Sequence, residues 1–150
     1  MNSAKPAPQF FGVNVEVALC RGGTWLLIER GHSLANAPGM LAFPGGRVEA
    51  DSAVDSILEI TARRELAEEV GLDLDGVELR YVRSEFFVGD DGNRYIGTTF
   101  TGELPAGREP RIASAEEVEA IHWLTPEAAR AHPKCPEWTA AGLAAAASTV

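Results

Sequence analysis

Apolar and polar residues alternate strictly near the start of the chain, from Phe11 to Leu19. The members on one face are Phe11, Val13, Val15, Val17 and Leu19. This period of two predicts a half-buried β-strand. A turn at Arg21-Gly22-Gly23 separates it from a second apolar run, Thr24 to Glu29, so the two segments together predict a β-hairpin.

The clearest helical pattern runs from Ser52 to Val70. Ser52 and Asp55, three residues apart, resemble a capping box in which Asp replaces Glu. Gly71 follows the last apolar position and is a typical C-terminal stop. We therefore predict a long helix that begins near Ser52 and ends at Val70.

The rest of the chain mixes strand and helix signals. A turn at Gly89–Asn93 lies between two predicted strands, and Thr125-Pro126 is a good helix start because Thr caps and Pro fits the first turn. The further predicted elements are strands Leu79–Val88, Tyr95–Leu104 and Ile121–Leu124, a helix from Thr125, and an Ala-rich helix from about Trp138 to the end. This order predicts an α/β or α+β sandwich.

Size and composition indicate one globular domain. The chain has 150 residues and 45% of them are hydrophobic, which is enough for one sizeable core. We divide it into a flexible N-terminal tail at 1–9, which contains two prolines, and a single domain at 10–150.

Net charge and cysteine content narrow the function classes. The formal charge of −9 argues against a nucleic-acid polymer as partner, because such partners require a basic surface. Small phosphorylated substrates remain open if metal ions supply positive charge. The two cysteines form no disulfide framework, and we see no apolar signal segment and no membrane span. We expect a soluble, cytoplasmic protein.

Three carboxylates cluster at the end of the predicted helix. Glu65, Glu68 and Glu69 fall within an arc of about 100° on a helical projection. Like charges four residues apart repel, and the helix dipole disfavours acidic groups at this end. A solvated acidic face is the alternative, but a cluster that opposes helix stability favours a divalent cation such as Mg²⁺ or Mn²⁺.

A second signal, the turn Phe43-Pro44-Gly45-Gly46, precedes the helix. Two glycines allow positive φ and a close approach of backbone to a ligand. Most Gly-Gly turns are only turns, so this signal gains meaning from the acidic helix that follows.

These two segments carry a resemblance to a known family. Gly46 followed by the run Arg64 to Leu72 resembles the Nudix box, which is Gly, five residues, Glu, seven residues, then Arg-Glu-aliphatic-x-Glu-Glu-x-Gly-aliphatic. Every defined position of the second half matches. The resemblance covers about residues 11–130 and implies the Nudix fold, an α/β/α sandwich with a mixed β-sheet.

The resemblance also implies roles for individual residues. It makes the Gly46 carbonyl, Glu65, Glu68 and Glu69 ligands of Mg²⁺ (or Mn²⁺), with Glu65 and Glu69 among the catalytic groups. Arg64 would orient a carboxylate through a charge-assisted hydrogen bond. Family members often use a further loop Glu as a ligand or base. Glu116 and Glu117 are the candidates, and we prefer Glu117.

The first half of the box departs from the pattern. Ser52 stands where the first Glu is expected, and 17 residues separate Gly46 from Arg64 where the family has 13. Asp51, Asp55 or Glu59 are candidates to replace that Glu, or it is missing.

The implied activity is metal-dependent hydrolysis of a pyrophosphate bond. The substrate would be a nucleoside diphosphate linked to another moiety, such as ADP-ribose or a nucleotide sugar, or a nucleoside triphosphate. The altered box favours an alternative, a catalytically impaired domain that senses a nucleotide, and a purely structural domain is a second alternative. A homodimer is consistent with the resemblance, because family members are often dimers.

Substrate contacts are less marked in the sequence. Phe86 and Tyr95 lie on strands beside a turn, where one of them could stack on a base, and Arg94 is a candidate phosphate contact. Aromatic strand residues more often belong to a core. The histidines at 32, 122 and 132 are scattered and not at ligand spacing, so we expect none to be catalytic.

Overall fold

A computed structural model describes residues 3–150 and, within them, a mixed seven-stranded sheet with three helices. The main strand order is β3-β2-β1-β6-β5, with β4 paired to β1 and β7 paired to β2. The elements are β1 (Gly12–Arg21), β2 (Thr24–Arg30), β3 (Leu41–Ala42), β4 (Gly45–Arg47), α1 (Ile57–Val70), β5 (Arg80–Val88), β6 (Arg94–Glu103), β7 (Val118–Leu124), α2 (Pro126–Ala131) and α3 (Glu137–Ala147). Residues 3–11 have neither helix nor strand, while the prediction of a flexible tail at 1–9 stays a prediction.

The predicted fold class is confirmed, and so are the predicted elements apart from the start of the long helix and the Gly-Gly turn. β1 and β2 form the expected hairpin, and Thr125 caps α2 by accepting from the Ala128 amide. β1 runs parallel to β6 and antiparallel to β2, so the sheet is mixed. None of the helices in residues 3–150 combines the length and the apolar character needed to cross a membrane.

Two apolar clusters lie on opposite faces of the sheet. On one face, Val15 and Val17 pack with the α1 residues Leu66 and Val70. On the other face, Leu27 packs with Leu143 of α3. Ala62, Leu66 and Val70 share one face of α1 and are buried, and the sheet between helices gives the α/β/α sandwich.

The predicted start of the long helix is wrong. α1 begins at Ile57, and its N-cap is Ser56 with φ 57° and no side-chain cap bond. Residues 49–56 are exposed and include Val54, which is 50% exposed. A helical turn without apolar packing is marginal. The extra residues of the box therefore lie in a surface loop before the helix, and Ser52 does not cap it.

The Gly-Gly segment is a strand rather than a turn. β1 pairs with β2 next to the hairpin turn, at Cys20 and Arg21, and pairs with β4 farther along, at Asn14–Glu16. β4 thus enters the sheet where β1 and β2 separate. This position brings the glycines against α1.

Candidate metal and catalytic site

Gly45 and Gly46 lie too close to their neighbours to carry side chains. A Cβ on Gly45 would overlap the carbonyl oxygen of Val15, and a Cβ on Gly46 would overlap the carboxylate of Glu65. Neither glycine has a positive φ. The sequence interpretation allowed positive φ or close approach, and close approach is the reason that applies.

Two of the three predicted carboxylates are enclosed. Glu65 and Glu69 are 7% and 6% exposed, whereas Glu68 is exposed. The Gly45 amide donates to Glu69 Oε2 over 3.3 Å. The structure therefore brings β4 and two carboxylates into one cradle, with Glu68 at its outer edge.

Arg64 lies across this edge. Its Nη1 is 3.0 Å from Glu65 Oε1 and 3.3 Å from Glu68 Oε2, and its Nη2 donates to the Arg47 carbonyl over 2.9 Å. These contacts fix both carboxylates relative to β4. Within residues 3–150, Arg64 forms no ion pair with Asp51, Asp55 or Glu59, so none of these substitutes for the missing first Glu through Arg64.

Burial makes negative charge costly in the cradle. It raises the pKa of Glu69 to about 8. The hydrogen bond from Gly45 lowers this pKa, whereas the negative charges of Glu65 and Glu117 raise it further. Burial also raises the pKa of Glu65, while Arg64 lowers it. A cation in the cradle would relieve these costs, and carboxylate oxygens are the donors that Mg²⁺ and Mn²⁺ prefer. The residues present fit such an ion.

Glu117 faces the same cluster from the loop before β7. Its charge contributes to the raised pKa of both Glu65 and Glu69, and its carbonyl accepts from the Gly31 amide over 2.9 Å. Glu117 is half-buried and Glu116 is exposed. This geometry favours the preferred candidate, whose catalytic role stays a prediction.

The raised pKa values predict a pH-dependent stability. Folded Glu69 holds its proton up to about pH 8, whereas the unfolded group loses it near 4.5. Folding without metal therefore takes up protons, and stability falls as pH rises from about 4.5 to about 8. We expect the metal-free thermal midpoint to drop by roughly 10 °C over this range. Added Mg²⁺ should restore it mainly at the alkaline end, and a midpoint that rises with pH in metal-free buffer would contradict the assignment.

Two of the three predicted substrate residues, Arg94 and Tyr95, line one cleft, and the third, Phe86, contacts a residue of its wall. A cavity of about 420 Å³ is lined by Phe10, Phe11, Gly12, Arg47, Gly92, Asn93, Arg94 and Tyr95. Phe86 and Arg94 both contact the Phe11 ring, at 5.8 Å and 5.3 Å. Tyr95 is only 2% exposed and its ring stacks on Phe87, so it forms part of the wall rather than a free stacking surface.

Sequence reasoning missed two residues near this cleft. Arg47 Nη2 donates to the Tyr95 hydroxyl over 3.1 Å, and Arg47 follows directly on Gly46, so it connects the cleft to the carboxylate cradle. Phe11 counted only as the first residue of a strand. No local signal marks either residue, because their role depends on β4 and β6 meeting at β1.

A third missed residue is Glu16 of β1. Burial raises its pKa to about 7, although a hydrogen bond from Thr99 Oγ1 of 2.8 Å lowers it. Glu16 lies opposite Gly45 in the register, but it alternates with Val15 and Val17, so its side chain points to the face of the sheet away from α1. The alternating pattern placed it on the polar face but did not show that this face is partly buried.

Comparison with known proteins agrees with this geometry. A family model described as NUDIX domain matches residues 11–144. A MutT NUDIX hydrolase from Burkholderia pseudomallei superposes with a TM-score of 0.73 at 23% identity, covering 91% of this chain and 98% of that one. The MutT protein from Methanosarcina mazei Go1 gives 0.74 at 18% identity, covering 96% and 98%.

A third structure is the NUDIX domain of Shewanella oneidensis NrtR in complex with ADP ribose, with a TM-score of 0.73, 19% identity and coverage of 98% and 94%. A search of curated proteins found no match. At these identities the structures show the shared fold, while the family model matches most of the sequence. The chain therefore belongs to the Nudix hydrolase family.

Proposed function

We propose that this protein is a divalent-metal-dependent pyrophosphohydrolase. Its family acts on nucleoside diphosphate derivatives in general. The observation that carries the proposal is the enclosed cradle in which Glu65 and Glu69 meet the β4 backbone. Burial raises the pKa of Glu69, so its ionisation in the metal-free cradle costs stability, and a bound cation would offset this cost.

The residues that would hold Mg²⁺ or Mn²⁺ are Gly46 through its carbonyl, Glu65, Glu68 and Glu69. The chemistry supplied by such a cation is neutralisation of the pyrophosphate charge and activation of water. Arg64 would keep Glu65 and Glu68 in place through its ion pairs.

The adjoining cleft would receive the organic part of the substrate. Its Phe10 and Phe11, 84% and 36% exposed, offer aromatic surface, and Arg94 and Arg47 offer positive charge. This combination suits a base or sugar linked to phosphate. We propose an ADP-ribose-like or nucleotide-sugar substrate, or a nucleoside triphosphate, with Phe86 and Arg94 at the mouth and Tyr95 in the wall. The NrtR domain, which has the same fold, was solved with ADP ribose.

Phosphate release with Mg²⁺ across dinucleotides, nucleotide sugars and triphosphates tests the proposal. We expect turnover of at least one class, and loss of that turnover on chelation with recovery by Mg²⁺ or Mn²⁺. Saturable binding with no turnover on the whole panel would overturn it in favour of a nucleotide sensor. The exposed loop at 49–56, which lacks a first-Glu partner for Arg64, is the observation that favours the sensor.

Glu117 is expected to accept a proton from the attacking water. Glu117→Gln should lower kcat by roughly 10²-fold, because general-base catalysis contributes about that much. Glu116→Gln is the matched control, since that side chain is exposed and adjacent. Equal kcat values for the two variants would remove Glu117 from the mechanism.

A further inference from the structure

A second group of metal-ligating side chains lies away from the carboxylate cradle. Glu29 of β2, His122 of β7 and His132 after α2 place three ligand atoms within 4.8 Å of one another. His122 Nε2 is 3.3 Å from Glu29 Oε1, and His132 Nε2 is 3.9 Å from the same oxygen. Sequence spacing separated these residues, and the pairing of β2 with β7 brings them together.

The group lies on the α2–α3 side of the sheet. His122 pairs with Leu27 in the β2–β7 register, and Leu27 belongs to the apolar cluster that contains the α3 residue Leu143. Glu29 is two residues beyond Leu27 and points to the same face. The cradle residues lie on α1, across the sheet.

One nitrogen in the group is buried against the carboxylate. His122 Nε2 is buried, and Glu29 Oε1 faces it over 3.3 Å. A buried nitrogen needs a partner, which either a proton shared with Glu29 or a cation held by both side chains would supply. An imidazole nitrogen without a proton can bind a metal ion.

We propose that Glu29, His122 and His132 form a binding site for a first-row transition ion of the Zn²⁺ class. Two imidazoles and one carboxylate are a donor set that Zn²⁺ accepts, whereas Mg²⁺ prefers oxygen alone. Tetrahedral zinc with bonds of about 2.0–2.1 Å separates neighbouring ligand atoms by roughly 3.3 Å. The distance from His122 to Glu29 already has this value, and His132 needs a small rotation to reach it.

Lys134 competes with the ion. Its Nζ is 3.3 Å from Glu29 Oε2, and its amide donates to His132 Nδ1 over 3.1 Å. The second bond places the proton of neutral His132 on Nε2, so an ion must displace that proton and free the amide. The Lys134 side chain is 45% exposed and can turn into solvent. Binding should therefore strengthen with pH and with removal of the lysine charge.

An ion here would connect β2, β7 and the segment between α2 and α3. In that segment, the Lys134 carbonyl also accepts a hydrogen bond of 2.9 Å from the Leu41 amide of β3. β3 leads into Pro44 and the cradle glycines. The site would fix the layer of helices opposite α1.

Titration of untagged protein with Co²⁺ in excess Mg²⁺ tests the proposal, because Mg²⁺ occupies carboxylate sites and Co²⁺ reports nitrogen ligands by visible absorption. We expect one equivalent with bands typical of four-coordinate Co²⁺, displaced by Zn²⁺. His122→Ala and His132→Ala should each weaken binding at least tenfold, and Lys134→Gln should strengthen it. His32→Ala is the matched control, since His32 lies outside the group.

The outcome is independent of the hydrolase activity. Glu69→Gln should leave the Co²⁺ spectrum unchanged even if it removes turnover. Glu29→Gln removes the charge of a proposed ligand but keeps the size of the side chain. It tests the site in place of a histidine variant that fails to fold. The proposal is overturned if Co²⁺ gives no bands, or if the bands persist in the correctly folded His122→Ala and His132→Ala proteins.

Discussion

Glu69→Gln should remove nearly all hydrolysis while leaving the fold intact. The glutamine oxygen can still accept from the Gly45 amide, now 3.3 Å from Glu69 Oε2, but it carries no charge for a cation. Loss of a metal-binding carboxylate next to the reaction should lower kcat by roughly 10²–10⁴-fold. Turnover is measured at saturating substrate across a range of Mg²⁺ concentrations.

The thermal stability of the Glu69→Gln variant should rise although its activity falls. In metal-free buffer at about pH 8, the variant should unfold at a higher temperature than the parent, because it no longer has to bury an ionising carboxyl. Glu119→Gln, at an exposed position of β7, controls for loss of a charge alone. Full activity in Glu69→Gln would show that the cradle is not the reacting centre.

Gly46→Ala should damage the site through geometry rather than charge. The added methyl group would overlap the Glu65 carboxylate, so either this side chain or β4 must shift. Overpacking of this kind costs about 1–3 kcal/mol, and a ligand displaced by about 1 Å can cost 10²-fold in rate. We expect loss of Mg²⁺-dependent activity together with a lowered thermal midpoint.

Gly97→Ala provides the matched glycine control. A Cβ at Gly97 would meet its nearest neighbour, the Phe87 ring, at 3.3 Å, and the residue has no positive φ. We expect this variant to keep most of its stability and its Mg²⁺ response. If Gly46→Ala behaved in the same way, close approach would not be the reason for glycine at that position.

The helix start shows why local signals mislead. Ser52 and Asp55 have the spacing of a capping box, yet α1 begins only at Ile57. The intervening residues find no apolar surface, and Val54 stays half-exposed. A capping pattern predicts a helix only where the following turn can pack.

Residues that act together from distant parts of the chain lay beyond sequence reasoning. Glu117 was one of two adjacent candidates, and only the loop fixed by the Gly31 amide turns it toward α1. The sequence spacing of His122 and His132 gives no sign that they lie close together, yet the structure places both beside Glu29, while the expectation that neither is catalytic stays a prediction. Strand pairing decides such contacts, and pairing partners leave no periodic mark in either segment.

The sequence alone determined the hairpin, the amphipathic face of α1 and the carboxylate cluster, because helix and strand periods are local properties of the chain. The tertiary structure alone decided that Glu65 and Glu69 are enclosed while Glu68 is not, and that Glu16 is partly buried. Burial depends on what the rest of the chain places over a residue. The charge state of each carboxyl, and hence its chemistry, therefore depends on the tertiary packing that places β4 beside β1.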